Sequence, residues 1–145
     1  MSDDDRTARA EALLDKIFTP AWRQHEGGVA WPGPSGLDFA KICVEHCYAD
    51  AWAREGALDL KTRSLITLTA LAALGSTEEI KLHVRGALSL GHAPDDVVEL
   101  FIHLVPYLGV PRMVAAMRSA GEVLREQQAS RSEPQASEGH QVGQR

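Results

Sequence analysis

His83 is the side chain from which a chemistry for this chain can be built. It lies in the segment STEEIKLHVRGALSLGH, Ser76 to His92. There Ile80, Val84, Ala87 and Leu88 recur at steps of three and four, the spacing of one helix face. An imidazole inside such a stripe has two readings. It is a hydrogen-bonded core residue, or it is a pocket residue that gives or takes a proton near neutral pH. Glu79, one turn earlier, could orient the ring, or could complete a capping box with Ser76.

Arg63 is the second candidate. It sits near the start of a long apolar segment, where its guanidinium could pair with Glu45 of the preceding helix or bind a carboxylate ligand. Lys81 and Arg85 add positive charge to the His83 helix and read as a solvated face. Glu99, His103 and Tyr107 share a face at spacing four. Glu-x-x-x-His thus occurs twice, at Glu79/His83 and Glu99/His103. Di-iron bundles use Glu-x-x-His with further carboxylates, so no metal site is expected. Cys43 and Cys47 form C-x-x-x-C, which is not the redox C-x-x-C, and both fall near the expected buried face as small core residues. No Gly-rich phosphate loop, serine elbow or zinc spacing is present.

The elements that must position these residues are helical. Arg6 to Phe18 carries Leu13, Leu14, Ile17 and Phe18 on one edge. HEGGVAWPGPSG, bracketed by Trp22 and Trp31, is too rich in Gly and Pro for anything but a loop. Leu37 to Glu55 is expected as a second helix with Phe39, Ile42, Cys43, Cys47, Ala51 and Trp52 inward. Asp59 then caps Leu60 to Leu74, which is apolar nearly all round and so calls for burial on every side, hinting at subunit packing. Gly75 and Gly91 are helix stops. Pro94, Asp95 and Asp96 open the next helix, and Pro106 bends or ends it. Met113 to Gln127 is the last. No period-two pattern occurs. The expectation is an all-α fold of about six helices, one domain over 1–127, and a disordered tail over 128–145.

Bulk properties narrow the partners. A 145-residue chain with 44% hydrophobic and 24% charged residues has the make-up of a globular domain. Its net charge of -5 and lack of a basic cluster argue against nucleic acid. No apolar run approaches the roughly 20 residues of a membrane span. The polar, acidic N-terminus is not a secretory signal, and two cysteines make no disulfide framework, so a cytoplasmic setting is expected.

The run from Tyr48 to Pro111 resembles the carboxymuconolactone decarboxylase family, whose fold is alkyl hydroperoxidase D-like. The residues that carry the likeness are Trp52 and Arg54; Leu58 and Asp59; Arg63, Ser64 and Leu65; His83, Val84, Arg85, Ala87 and Leu88; Gly91; and Tyr107, Gly109 and Pro111. The peroxidase branch of that fold carries two cysteines at the places of Ser76 and Glu79, so this chain lacks its thiols. The resemblance implies a cofactor-independent carboxy-lyase of aromatic catabolism, assembled as a trimer or hexamer. It implies His83, Arg63 and Glu45 as the catalytic group, and Arg85, Trp52 and Tyr107 around the substrate. In that reading His83 protonates a dienolate left by loss of carbon dioxide from 4-carboxymuconolactone or a related enolisable acid. Tyr48-Ala49 stands where many members have Trp-Gly. The alternatives are a thiol-dependent peroxidase using Cys43 and Cys47, and a non-catalytic oligomeric ligand-binding module.

Overall fold

The computed structural model describes residues 3–18, 33–54 and 56–132, and among them every regular element is helical. These are α1 (Asp3–Ile17), α2 (Gly33–Val44), a π-helix (Glu45–Trp52), α3 (Leu60–Leu74), α4 (Thr77–Ser89), α5 (Pro94–Leu108) and α6 (Val110–Ser132). The all-α expectation holds. The Trp22 to Trp31 part of the expected loop lies outside the described residues, and so does the expected tail beyond Ser132. Residues 33–36, expected in that loop, already belong to α2, and α6 continues past Gln127.

Local chemistry sets most boundaries. The Asp59 carboxylate accepts the Thr62 amide at 2.7 Å and caps α3. Gly75 ends α3 in the left-handed region, φ 76°, where a side chain would be strained. Pro94 opens α5, and the Asp96 carboxylate reaches back to the Ala93 amide at 2.8 Å. The expected Ser76–Glu79 capping box does not form: the Ser76 side chain makes no cap hydrogen bond, and Glu79 is exposed. Pro106 does not end its helix, which runs on to Leu108.

The main core lies between α3, α4, α5 and α6, where Leu68, Ile80, Val84, Val97, Phe101 and Met113 are buried together. Burial of apolar surface here supplies the principal drive for folding. A second, smaller cluster joins Leu13, Leu14 and Ile17 of α1, and Phe18 just past its end, to Trp52. α1 packs against the π-helix and against α4. Its approach to α4 is close because Gly86 has no side chain. A Cβ there would stand 2.8 Å from Ile17 Cγ2 and 3.0 Å from the Phe18 ring.

The face of the second helix departs from its expected orientation. No residue of α2 is buried, and Phe39, Ile42, Cys43, Cys47 and Ala51 are exposed. Trp52 turns inward as expected, and Glu45 and Ala49 turn inward with it. α3 likewise buries only Ser64, Leu68 and Ala72, while Leu74 is 75% exposed. The described residues do not cover these apolar faces.

Replacing Gly86 with Ala is expected to destabilise the fold by about 1–3 kcal/mol, because Ile17 and Phe18 must shift to admit the methyl group. Urea unfolding of both proteins measures this. An unchanged midpoint would mean that α1 does not depend on close packing at Gly86.

Candidate active site

α4 places His83 on its buried face, between Ile80 and Val84 and opposite the second apolar cluster. Two aromatic side chains from elsewhere in the chain close on the ring. The Trp52 indole lies 26° from parallel with it, centroids 6.1 Å apart. Phe18 meets it edge-on at 75°, also at 6.1 Å. Tyr48 extends the wall, with its ring 6.3 Å from Phe18 and 6.1 Å from Trp52. Tilted and edge-to-face arrangements at these separations are favourable for rings.

The π-helix is what aims Trp52 and Tyr48. Its wider turn is visible in the Ala53 amide, which donates to the Tyr48 carbonyl five residues back at 2.8 Å. Polar contacts hold this element to α1. The Arg6 guanidinium donates to both Asp50 carboxylate oxygens, at 3.2 and 2.5 Å. The Thr7 hydroxyl donates to Glu45 at 2.6 Å.

Burial alone pushes the His83 pKa down, from 6.5 to about 4. Removing the ring from water penalises its charged form. Among the described residues no hydrogen bond reaches it, so Glu79 neither orients the ring nor caps the helix. Near neutral pH the side chain is an uncharged imidazole. Tyr48 is pushed up, first by burial and then by the neighbouring Cys47 and Glu79, so its phenol stays protonated.

The structure brings Trp52 to His83 and leaves the other expected site residues elsewhere. Glu45 is buried, but its partners are Thr7, Arg6 and Lys41 rather than Arg63. Arg63 donates through one terminal nitrogen to the Arg54 carbonyl at 3.1 Å, two residues beyond Trp52, while its buried Nε has no hydrogen-bond partner among the described residues. Arg85 pairs with Glu126 at 2.7 Å. Tyr107 is 71% exposed on α5, beside His103. Phe18 and Tyr48 are the wall residues that sequence reasoning missed. The signal for Tyr48 was its spacing of four from Trp52; α1 is far from His83 in sequence, and nothing local pointed to Phe18.

Two cavities flank this aromatic wall. One, of about 340 Å³, is lined by Phe18, Ile17, Arg85, Leu88 and Glu126. The other, of about 470 Å³, is lined by Trp52 together with residues of α1 and of the turn before α3. His83 lines neither; its ring contacts Phe18, which lines the first, and Trp52, which lines the second. Both cysteines are exposed, and partial burial and the neighbouring Cys43 push the Cys47 thiol up, which disfavours its thiolate. No cluster of potential metal ligands occurs among the described residues.

The Carboxymuconolactone decarboxylase family model matches residues 37–122, which include Tyr48, Trp52, Arg63 and His83. The 4-carboxymuconolactone decarboxylase of Acinetobacter baylyi is 36% identical over 89 residues, covering 61% of this chain and 66% of that protein. The nitrosuccinic acid decarboxylase of Metarhizium robertsii is 34% identical over 77 residues, 53% of each chain. An uncharacterized 15.0 kDa protein of Paracoccus denitrificans is 31% identical over 86 residues, 58% of this chain and 63% of its own length. The chain thus spans less than two thirds of the length of these relatives.

The buried imidazole makes stability depend on pH with a definite sign. Between about pH 6.5 and pH 4 the unfolded chain binds a proton at His83 that the folded chain does not. Its effect is absent above that window, and stability falls as the pH drops through it, by about 3 kcal/mol at full extent. His83→Phe should lose this part of the pH dependence in urea denaturation. Equal slopes for both proteins across the window would show that His83 titrates normally.

Proposed function

Because the chain belongs to the carboxymuconolactone decarboxylase family, we propose that it is a decarboxylase of a small carboxylated, enolisable substrate, with His83 as the proton carrier. The observation that carries this reading is a buried, uncharged imidazole, stacked on Trp52 and free of any hydrogen bond among the described residues. Two of the similar proteins are named as decarboxylases, of 4-carboxymuconolactone and of nitrosuccinic acid. A carboxylated lactone is the first substrate class to test.

Decarboxylation breaks a carbon–carbon bond and leaves its electron pair on the substrate. In a carboxylated butenolide that pair spreads through the ring to the carbonyl oxygen as a dienolate. The remaining need is a proton at carbon. A neutral imidazole in a dry setting becomes a proton donor once an anion lies beside it, because opposite charge raises its pKa. Substrate binding therefore draws a proton onto His83, and the dienolate takes it when carbon dioxide leaves. The proton comes from solvent, and giving it to the dienolate leaves the ring neutral, as it was before the substrate bound. The low-polarity wall of Phe18, Tyr48 and Trp52 favours loss of the charged carboxylate as a neutral gas. Arg63, whose Nε has no partner among the described residues, is the candidate for holding a substrate carboxylate or the dienolate oxygen. A homo-oligomer accords with the uncovered apolar faces of α2, α3 and α5.

His83→Ala should lower turnover of 4-carboxymuconolactone by about a hundredfold or more, with helical content and assembly state unchanged. Disappearance of the substrate acid and appearance of the enol-lactone report the reaction. Undiminished turnover in the variant would remove His83 as the proton carrier. Turnover of nitrosuccinic acid in place of the lactone would move the substrate class to acyclic nitro acids.

A further inference from the structure

The cavity beside Trp52 gathers cations in a protein that is acidic overall. It opens between α1 and the turn that joins the π-helix to α3. Arg9 and Lys16 reach it from α1 and Arg54 from the turn, all three at its exposed rim. Asp59 also borders it, but its carboxylate is held by the Thr62 amide at the start of α3. Arg9 uses one nitrogen on the Ala53 carbonyl, which leaves the rest of its fork available. The side chains of Lys16 and Arg54 make no hydrogen bond or ion pair among the described residues.

Several other cations of the chain are matched by carboxylates. Arg6 is matched by Asp50, Lys81 by Glu78 and Glu122, and Arg85 by Glu126. With 20 acidic and 15 basic residues in the chain, three cations around one hollow run against the general balance. The floor is different in character, built from Leu13, Leu60 and Trp52. The backbone of the turn is braced, since Arg63 donates to the Arg54 carbonyl. At about 470 Å³ the hollow is in the size range of small-molecule sites.

We propose that this cavity binds a small organic anion, its carboxylate among Arg9, Lys16 and Arg54 and its apolar body against Trp52 and Leu13. Charge-assisted hydrogen bonds from a guanidinium suit a carboxylate, and the aromatic floor favours a ring over a bare ion. The site goes beyond the decarboxylase reading and does not depend on it, because His83 does not line this cavity. α1, which supplies two of the cations, lies outside the family-matched residues.

Calorimetric titration of the full chain with benzoate, and in parallel with inorganic sulfate, tests the proposal. Benzoate should bind, and more tightly than sulfate. The Lys16→Glu/Arg54→Glu variant should weaken benzoate by about tenfold or more, while His83→Phe keeps it unchanged. Should the double variant fail to fold, Arg54→Met alone provides a milder loss of charge. Absence of benzoate binding, equal binding of sulfate, or indifference to the charge changes would each overturn the proposal. Benzoate binding that survives His83→Phe in a protein that has lost turnover would separate this site from the catalytic one.

Discussion

A largely buried imidazole with no hydrogen-bonding partner among the described residues is the constraint on which the rest of this structure turns. Such a ring is tolerated only uncharged, and only if its surroundings gain enough from contact to offset the lost solvation. Here the contact comes from aromatic faces and edges. Phe18 stands just past the end of α1 and Trp52 on the π-helix, so the arrangement requires α1, the π-helix and α4 to meet at one place. Gly86, one turn beyond His83 on the same helix, is the position where that meeting is closest.

The polar contacts at the edge of this junction have a related role. Glu45 is buried, and a buried carboxylate is costly unless paired. Thr7 and Arg6 supply the pairing, and Asp50 takes the other face of Arg6. These bonds fix how α1 sits on the π-helix, and so where Phe18 and Trp52 stand. Glu45 therefore bears on the site through α1 in this chain, rather than through Arg63.

Two kinds of surface surround the junction. The uncovered apolar faces of α2, α3 and α5 are of a type that favours association, and the aliphatic Leu74 alone is three-quarters exposed. The charged rim beside Trp52 is a recess with an aromatic floor. Trp52 is common to the recess and to the stack on His83, one face of the junction opening on each.

The helical fold, its caps and the candidacy of His83 were legible in the sequence, because they depend on local spacing. Asp59, Gly75 and Pro94 act within a turn of their own position, and a stripe of apolar residues at steps of three and four specifies a helix wherever it packs. The orientation of the second helix was not legible. α2 buries none of its residues, which leaves Cys43 outside any core, and beyond Val44 a π-turn changes the angle per residue, so Cys47 faces out where a 3.6-residue period projects it inward. The partners of His83, Glu45 and Arg63 were also hidden, since they lie on elements distant in sequence. Only the tertiary structure decided that Phe18 and Trp52 enclose the imidazole, that Glu45 turns to α1, and that Arg9, Lys16 and Arg54 share one hollow. Those are contacts between separate helices, and no periodicity along one helix encodes them.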